Sequence, residues 1–254
     1  MARRPLPAPT HTASLWAMLN RRLIRLLITA LLVALPVTAP AGEDPTMLPP
    51  DAHADWQAIG RLNHSGYKQR KLCSATLIAP DLVLTAAHCV THDNGQPMPL
   101  ADFRFVAGWF RGEYAAVGHV AGLTVPKRWL FAAAQGRIDS GADLALVHLR
   151  DAITTVTPLP VRRPDRGRVR ILGYRWDRPH ALSDSGSCLH RQAEQDVRAT
   201  DCQATFGTSG APVLQQQRDG WVVVGTVSSI GSGLTYFAAW QRLDAASSRS
   251  WRAD

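Results

Sequence analysis

The chain has no C-x-x-C pair, no internal repeat and no apolar run long enough to cross a bilayer. The first absence removes zinc-ribbon and dithiol redox chemistry. The second excludes solenoids and propellers, which announce themselves by a period of ~20–50 residues. Charge is also sparse: only 19% of residues are charged against 46% hydrophobic, which excludes a disordered polyelectrolyte. What is present in quantity is turn chemistry. Seventeen prolines and 19 glycines are spread along 254 residues, which suits many short elements rather than a helical bundle.

The formal net charge of +8 is unevenly placed. Residues 1–41 carry five arginines (Arg3, Arg4, Arg21, Arg22, Arg25) and no acid, so +3 remains for the other 213 residues. Those remaining arginines are scattered rather than striped, and no nucleic-acid partner is expected. Arg21, Arg22 and Arg25 precede the apolar run Leu26–Leu35, and Ala39-Pro40-Ala41 supplies a small-x-small site. That is the order of a secretory signal peptide over 1–41, cleaved before Gly42. The apolar run is well short of the ~20 residues of a membrane span, so no stable membrane anchor is expected after cleavage. The mature chain is expected in the periplasm or outside the cell.

Cys73, Cys89, Cys188 and Cys202 all follow this segment, at separations of 16 and 14 residues. Four cysteines allow three pairings; two local disulfides in an oxidising compartment is the natural one. Residues 42–55 read as an extended leader. From Trp56 onward, short β-branched or alternating runs are broken by turn residues, the mark of an all-β fold. Strands are expected at Ala58–Leu62, Ser74–Ile78, Leu82–Thr85, Phe103–Val106, Val117–Leu123 and Leu144–Leu149, then at Val169–Tyr174, Ala211–Leu214, Trp221–Ser228 and Thr235–Trp240. Prolines and arginines over 151–167 suit a linker between two β units, 56–150 and 168–254. A short helix is expected over Ala238–Ser247. Trp176 and Trp221 read as core residues. His53, His64, His92, His119, His148, His180 and His190 read as surface or satisfied-core residues, and His92-Asp93-Asn94-Gly95 as a turn rather than a metal loop. No metal or cofactor is expected.

Three motifs carry chemistry. In Leu84-Thr85-Ala86-Ala87-His88-Cys89, a strand runs into a small-residue turn that ends on an imidazole. In Asp143-Leu144-Ala145-Leu146-Val147-His148-Leu149, a carboxylate stands half buried at the mouth of an apolar strand, where it can accept from an imidazole N–H and fix its tautomer. In Gly207-Thr208-Ser209-Gly210-Ala211-Pro212, a serine flanked by glycines suits a tight turn that presents a hydroxyl beside bare backbone N–H groups.

Taken together, and in the order His, Asp, Ser, these motifs resemble those of the chymotrypsin-like (trypsin-fold) serine proteases, especially the bacterial secreted branch related to the glutamyl endopeptidases. The resemblance runs from about Trp56 to Trp240. It implies two six-stranded antiparallel β-barrels with the active site in the cleft between them. His88, Asp143 and Ser209 would form a triad, and the N–H groups of Gly207 and Ser209 an oxyanion hole. Cys73 stands where the disulfide partner of Cys89 is expected. The implied partner is a peptide or protein substrate, and the implied state a monomer.

The chain also departs from that family's pattern. Thr208 replaces the aspartate that receives a new N-terminus in digestive enzymes, and Ala58-Ile59-Gly60 stands in for the usual start, so no activation by terminus insertion is expected. Ala211 replaces a common glycine, with a methyl that crowds the cleft. Gln203 takes the place of the aspartate that selects Arg or Lys, which points to an uncharged residue on the acyl side. Ser228-Ser229-Ile230-Gly231 resembles the strand that pairs with substrate backbone, with Ser229 and Gly231 in contact with substrate. Ser228 stands where glutamate-selective enzymes carry histidine. Two alternatives stay open: a catalytically silent protease-fold binding protein of the cell envelope, and an esterase acting on non-peptide substrates.

Overall fold

Alternation of apolar and polar residues decides which segments become strands. Residues 44–65, 70–241, 243 and 246–252 are described by a computed structural model. The expected signal segment, 1–41, lies outside the described residues.

Six strands close the first barrel: β2 (Ile59–Ser65), β3 (Arg70–Ala79), β4 (Leu82–Thr85), β5 (Phe103–Ala107), β6 (Ala116–Pro126) and β7 (Ala145–Leu149). They pair in the order β6-β5-β2-β3-β4-β7, and β7 returns to β6 to close the ring. The second ring uses β8 (Arg168–Arg175), β10 (Cys188–Glu194), β11 (Val197–Thr200), β14 (Leu234–Ala239), β13 (Gly220–Gly231) and β12 (Pro212–Gln217), closed by β12 on β8. β9 (Arg178–Asp184) forms a hairpin with the far end of β8. All registered strand pairs are antiparallel. Closure matters because it leaves each ring without a raw hydrogen-bonding edge.

Each barrel is filled from its own inward-facing residues, with Leu77, Phe105 and Val147 in the first and Ile171, Val213 and Phe237 in the second. A third apolar cluster forms the seam between them. Ile59, Leu84 and Leu144 come to it from the first barrel, and Leu172, Tyr174 and Leu214 from the second. Burying one such side chain contributes roughly 1.5–3 kcal/mol, so the seam fixes the cleft as firmly as a core fixes a domain.

Several segments depart from expectation. The leader is extended only in part: β1 (Thr46–Met47) pairs with β9, but Pro50–Trp56 forms a 3-10 helix. The tail expected with the second barrel instead sends β15 (Ser248–Arg252) to β6 of the first, where Trp251 packs on that barrel's core. Of the expected terminal helix, Ala238 and Ala239 close β14 because they continue its pairing with β13, Ser248 opens β15, and residues 242, 244 and 245 lie outside the described set. A short helix that alternation did not announce, α1 (Lys127–Ala133), follows β6 and buries Trp129. Residues 151–167 hold no strand, only the isolated bridge Val161↔Val223.

Candidate active site

β4 ends at Thr85, and the buried alanines Ala86 and Ala87 let the chain turn tightly into a single 3-10 turn, Ala87–Cys89. His88 therefore leaves the wall of the first barrel at its rim. Cys89 is bonded to Cys73 on β3, which clamps the turn from behind, while Cys188 is bonded to Cys202. Both bridges are the local pairing.

Asp143 immediately precedes β7. It is 1% exposed, so it is buried outright rather than half buried as its place at a strand mouth suggests. Its carboxylate grips His88 twice: the His88 backbone N–H donates to Oδ1 at 3.0 Å, and ring Nδ1 lies 2.7 Å from Oδ2. A carboxylate only accepts, so Nδ1 carries the proton and Nε2 is left as an acceptor facing the cleft. Burial pushes the His88 imidazole down, but the Asp143 charge and hydrogen bond outweigh it, and the pKa lies above the ordinary histidine value.

The second barrel completes the carboxylate's shell. Pairing of β13 with β14 slips between Val227 and Ser229, and such a bulge re-aims the residue it displaces. Ser228 sits at that slip, and its hydroxyl donates to Asp143 Oδ2 at 2.6 Å. Thr226 Oγ1 donates to the Asp143 carbonyl at 3.3 Å. Sequence reasoning placed Ser228 only on the substrate strand and missed this bond. Its one available signal was a hydroxyl residue at a register break, which the strand pattern does not display.

Ser209 lies in the turn between β11 and β12. Gly207 has φ +93° and Gly210 φ +74°, both in the left-handed region that favours glycine. A Cβ on Gly210 would stand 2.2 Å from Thr85 Oγ1 and 2.9 Å from the Ala86 nitrogen, so the Ser209 turn abuts the residues that lead to His88. The N–H groups of Gly207 and Ser209 have no hydrogen-bond partner among the described residues. No hydrogen bond joins the Ser209 hydroxyl to the His88 ring; in unliganded sites this contact commonly tightens only when substrate binds.

Two residues hold this turn. Thr208 is buried; its hydroxyl accepts from the Thr205 N–H at 3.0 Å and donates to the Thr205 carbonyl, closing the turn on itself. Ser74, fully buried on β3, reaches across the seam. Its hydroxyl donates to the Gly207 carbonyl at 3.0 Å and accepts from the Tyr174 N–H at 2.8 Å, and its own N–H donates to the Ser209 carbonyl at 2.9 Å. Ile59 is fully buried as the first residue of β2. The Ala211 methyl is accommodated by Gly173, where an added Cβ would approach it to 2.7 Å.

Two hollows flank the site and share Ser228 and Ser229. One, about 210 Å³, is walled by Thr205, Phe206, Ser209 and Val227–Ile230. The other, about 420 Å³, lies over His88, Asp143 and Trp129. Ser229 thus borders both, and Gly231 ends β13 opposite Leu234. Gln203 does not line the smaller hollow; its amide donates to the Asp201 carbonyl at 3.4 Å. Trp176, read as core, is instead 67% exposed, because it occupies the turn between β8 and β9 where no layer covers it. Trp221 is partly buried and packs edge-on against Trp56. Among the described residues, one group of metal-type side chains comes together, Cys73, His88 and Cys89, and its sulfurs are committed to the disulfide.

Known proteins share this architecture. A protease from Arthrobacter nicotinovorans is 19% identical, with 73% of this chain and 90% of that one covered at a TM-score of 0.61. A Glu endopeptidase is 18% identical, covering 79% and 93% at 0.65. A thermostable serine protease from an extremophilic microorganism is 22% identical, covering 73% and 92% at 0.61. These likenesses establish the fold. The sequence profile described as "Trypsin-like peptidase domain" matches residues 73–225, which spans most of both barrels and all three motifs. The chain belongs to the trypsin-like peptidase family.

Proposed function

We propose that the chain is an exported serine endopeptidase in which Ser209 is the nucleophile, His88 the general base and Asp143 the group that orients His88. The observation that carries this reading is the double grip of Asp143 on His88, because it leaves Nε2 free to take a proton at the rim where the Ser209 turn arrives.

In the proposed reaction Ser209 Oγ attacks the scissile carbonyl carbon while its proton passes to His88 Nε2. The carbonyl oxygen becomes an oxyanion between the Gly207 and Ser209 N–H groups. Collapse breaks the C–N bond, His88 returns the proton to the leaving amine, and water repeats the sequence to free the acid. The imidazolium formed on the way is stabilised by the buried Asp143 charge. Donors fixed in advance add to this, since loss of one typically costs ~10²–10³ in turnover.

On this reading the acyl half of the substrate lies along Ser229–Gly231. Its first side chain enters the hollow walled by Thr205 and Val227–Ile230, where no charged residue lines the wall, which supports an uncharged preference. Thr208, which closes its own turn, supports activity without terminus insertion. Two disulfides and the signal-like segment support export to an oxidising compartment. A fluorophosphonate probe tests the assignment: labelling is expected on the intact protein and absent in Ser209→Ala. A folded protein that takes no label would instead be the silent binding protein. Labelling with ester cleavage but no cleavage across a peptide library would point to the esterase.

A further inference from the structure

A basic groove opens beside the oxyanion turn and shares no lining residue with the hollow walled by Val227–Ile230. Its volume is about 660 Å³, and Arg61, Lys71 and Arg104 line it together with His64, Leu72 and Trp176. No carboxylate lines it, and none of the three cations has one within 4.0 Å among the described residues.

The cations are positioned without being neutralised. Arg61 donates to Asn63 Oδ1 at 3.3 Å and to the Pro179 carbonyl at 3.0 Å, and its guanidinium stacks over Trp109 at 5.2 Å. Arg104 donates to the carbonyls of Ala101 and Phe103 at 2.7 Å. Both it and Lys71 are exposed. His64 is only 5% exposed, yet neither ring nitrogen has a hydrogen-bond partner among the described residues. Buried polar atoms of this kind ordinarily find one, so this lining is incomplete as it stands. Of the nearby acids, Asp177 is held by Arg175 through both carboxylate oxygens, while Asp102 approaches His64 only to 3.8 Å, beyond hydrogen-bond distance.

The groove adjoins the chemistry directly. The Trp176 N–H donates to the Phe206 carbonyl, and a Cβ on Gly207 would stand 2.7 Å from the Trp176 nitrogen. Leu72 precedes the cysteine bonded to Cys89, beside His88. Lys71 is near enough that its charge disfavours protonation of His88. A peptide whose acyl half lies along β13 and whose carbonyl oxygen points at Gly207 must send its other half away from that strand, toward Leu72 and Trp176.

We infer that this groove takes the leaving-group half of the substrate and selects acidic side chains there. The inference rests on the serine peptidase reading. Single exposed charge pairs are weak, but three cations converging on one short segment give an expected preference of about tenfold in kcat/KM. Added salt screens it: at 1 M, where the Debye length falls to ~3 Å, most of that preference disappears.

Internally quenched peptides with one acyl half and Glu-Glu, Gln-Gln or Lys-Lys at the second and third residues past the scissile bond test it. The readout is the ratio of kcat/KM between peptides, so changes common to all of them cancel. The order Glu > Gln > Lys is expected, and Lys71→Glu with Arg104→Glu should reverse it. If that protein misfolds, Lys71→Gln with Arg104→Gln carries the test, with the Glu preference expected to shrink to about the twofold that one remaining cation, Arg61, supplies. Equal cleavage of the Glu and Gln peptides by the wild type, or a ratio unmoved by either double variant, overturns the inference while fluorophosphonate labelling of Ser209 keeps the peptidase reading. Absence of both labelling and peptide cleavage overturns the two together.

Discussion

Replacing Ser74 by alanine removes one hydroxyl from the fully buried junction between the barrels, and its consequences can be worked out atom by atom. Two backbone groups lose their partner, the Gly207 carbonyl at 3.0 Å and the Tyr174 N–H at 2.8 Å. A buried polar group left unsatisfied costs about 1–3 kcal/mol. The two together set the expected loss near ~3 kcal/mol, a large share of a typical stability of roughly 5–15 kcal/mol. The bond from the Ser74 N–H to the Ser209 carbonyl survives the substitution, and Thr208 still clasps the turn. Ser209 therefore stays in place, while the peptide after Gly207 gains freedom. Turnover should fall about tenfold, short of the ~10²–10³ expected for outright loss of an oxyanion donor, with KM nearly unchanged. Urea unfolding gives the first number, and steady-state cleavage with active-site titration gives the second. A Ser74→Ala protein with wild-type stability and kcat, or one altered in KM alone, would refute the account of this junction.

The pH profile carries a sign fixed by the site. Because Asp143 raises the His88 pKa and the base must be neutral, the acid limb of kcat/KM should have its midpoint above the ordinary ~6.5, and a midpoint below 6 would contradict the assignment. In Asp143→Asn that midpoint should move down, with turnover lower by about 10⁴. The raised pKa also stabilises the fold, fully below pH ~6.5 and less as pH rises through the folded value. Urea unfolding should therefore find Asp143→Asn more damaging at pH 5 than at pH 9. Gly210→Ala places a methyl against Thr85 Oγ1 and the Ser74 carbonyl at a positive φ, and should cost about 3 kcal/mol or more, read as a lowered Tm. Removing the Cys188–Cys202 disulfide, which joins residues 14 positions apart, by a double alanine substitution should cost about 3 kcal/mol in the chain-entropy picture, measured by denaturant midpoint.

How far these features were legible from residues alone depends on where the information resides. Leu82–Thr85 was readable to the residue because it is a short apolar run bounded by a proline-aspartate turn and a small-residue turn. Strands β9, β10 and β11 left no such trace. Cys188–Glu194, for example, buries only its first residue, so its pairing is set by neighbours rather than by its own apolar face. The three motif residues were legible because their chemistry demands particular neighbours. Ser74 and Ser228 were not, since each acts through a bond to a residue 133 or 85 positions away that only the closed barrels bring near, and the Thr208 clasp on Thr205 is a local turn that no apolar pattern displays. Trp176 misled because a large aromatic in a sequence suggests burial, while a hairpin turn gives it nothing to lie beneath.

The two ends of the described chain cross over. Thr46–Met47 is registered with β9 in the later half, and Ser248–Arg252 with β6 in the earlier half. Each half thus wears a strap supplied by the other, so neither can be excised as an independent piece without tearing a strand from its neighbour. A single nick within 151–167 would leave two fragments still laced together, co-eluting under native conditions and parting only in denaturant.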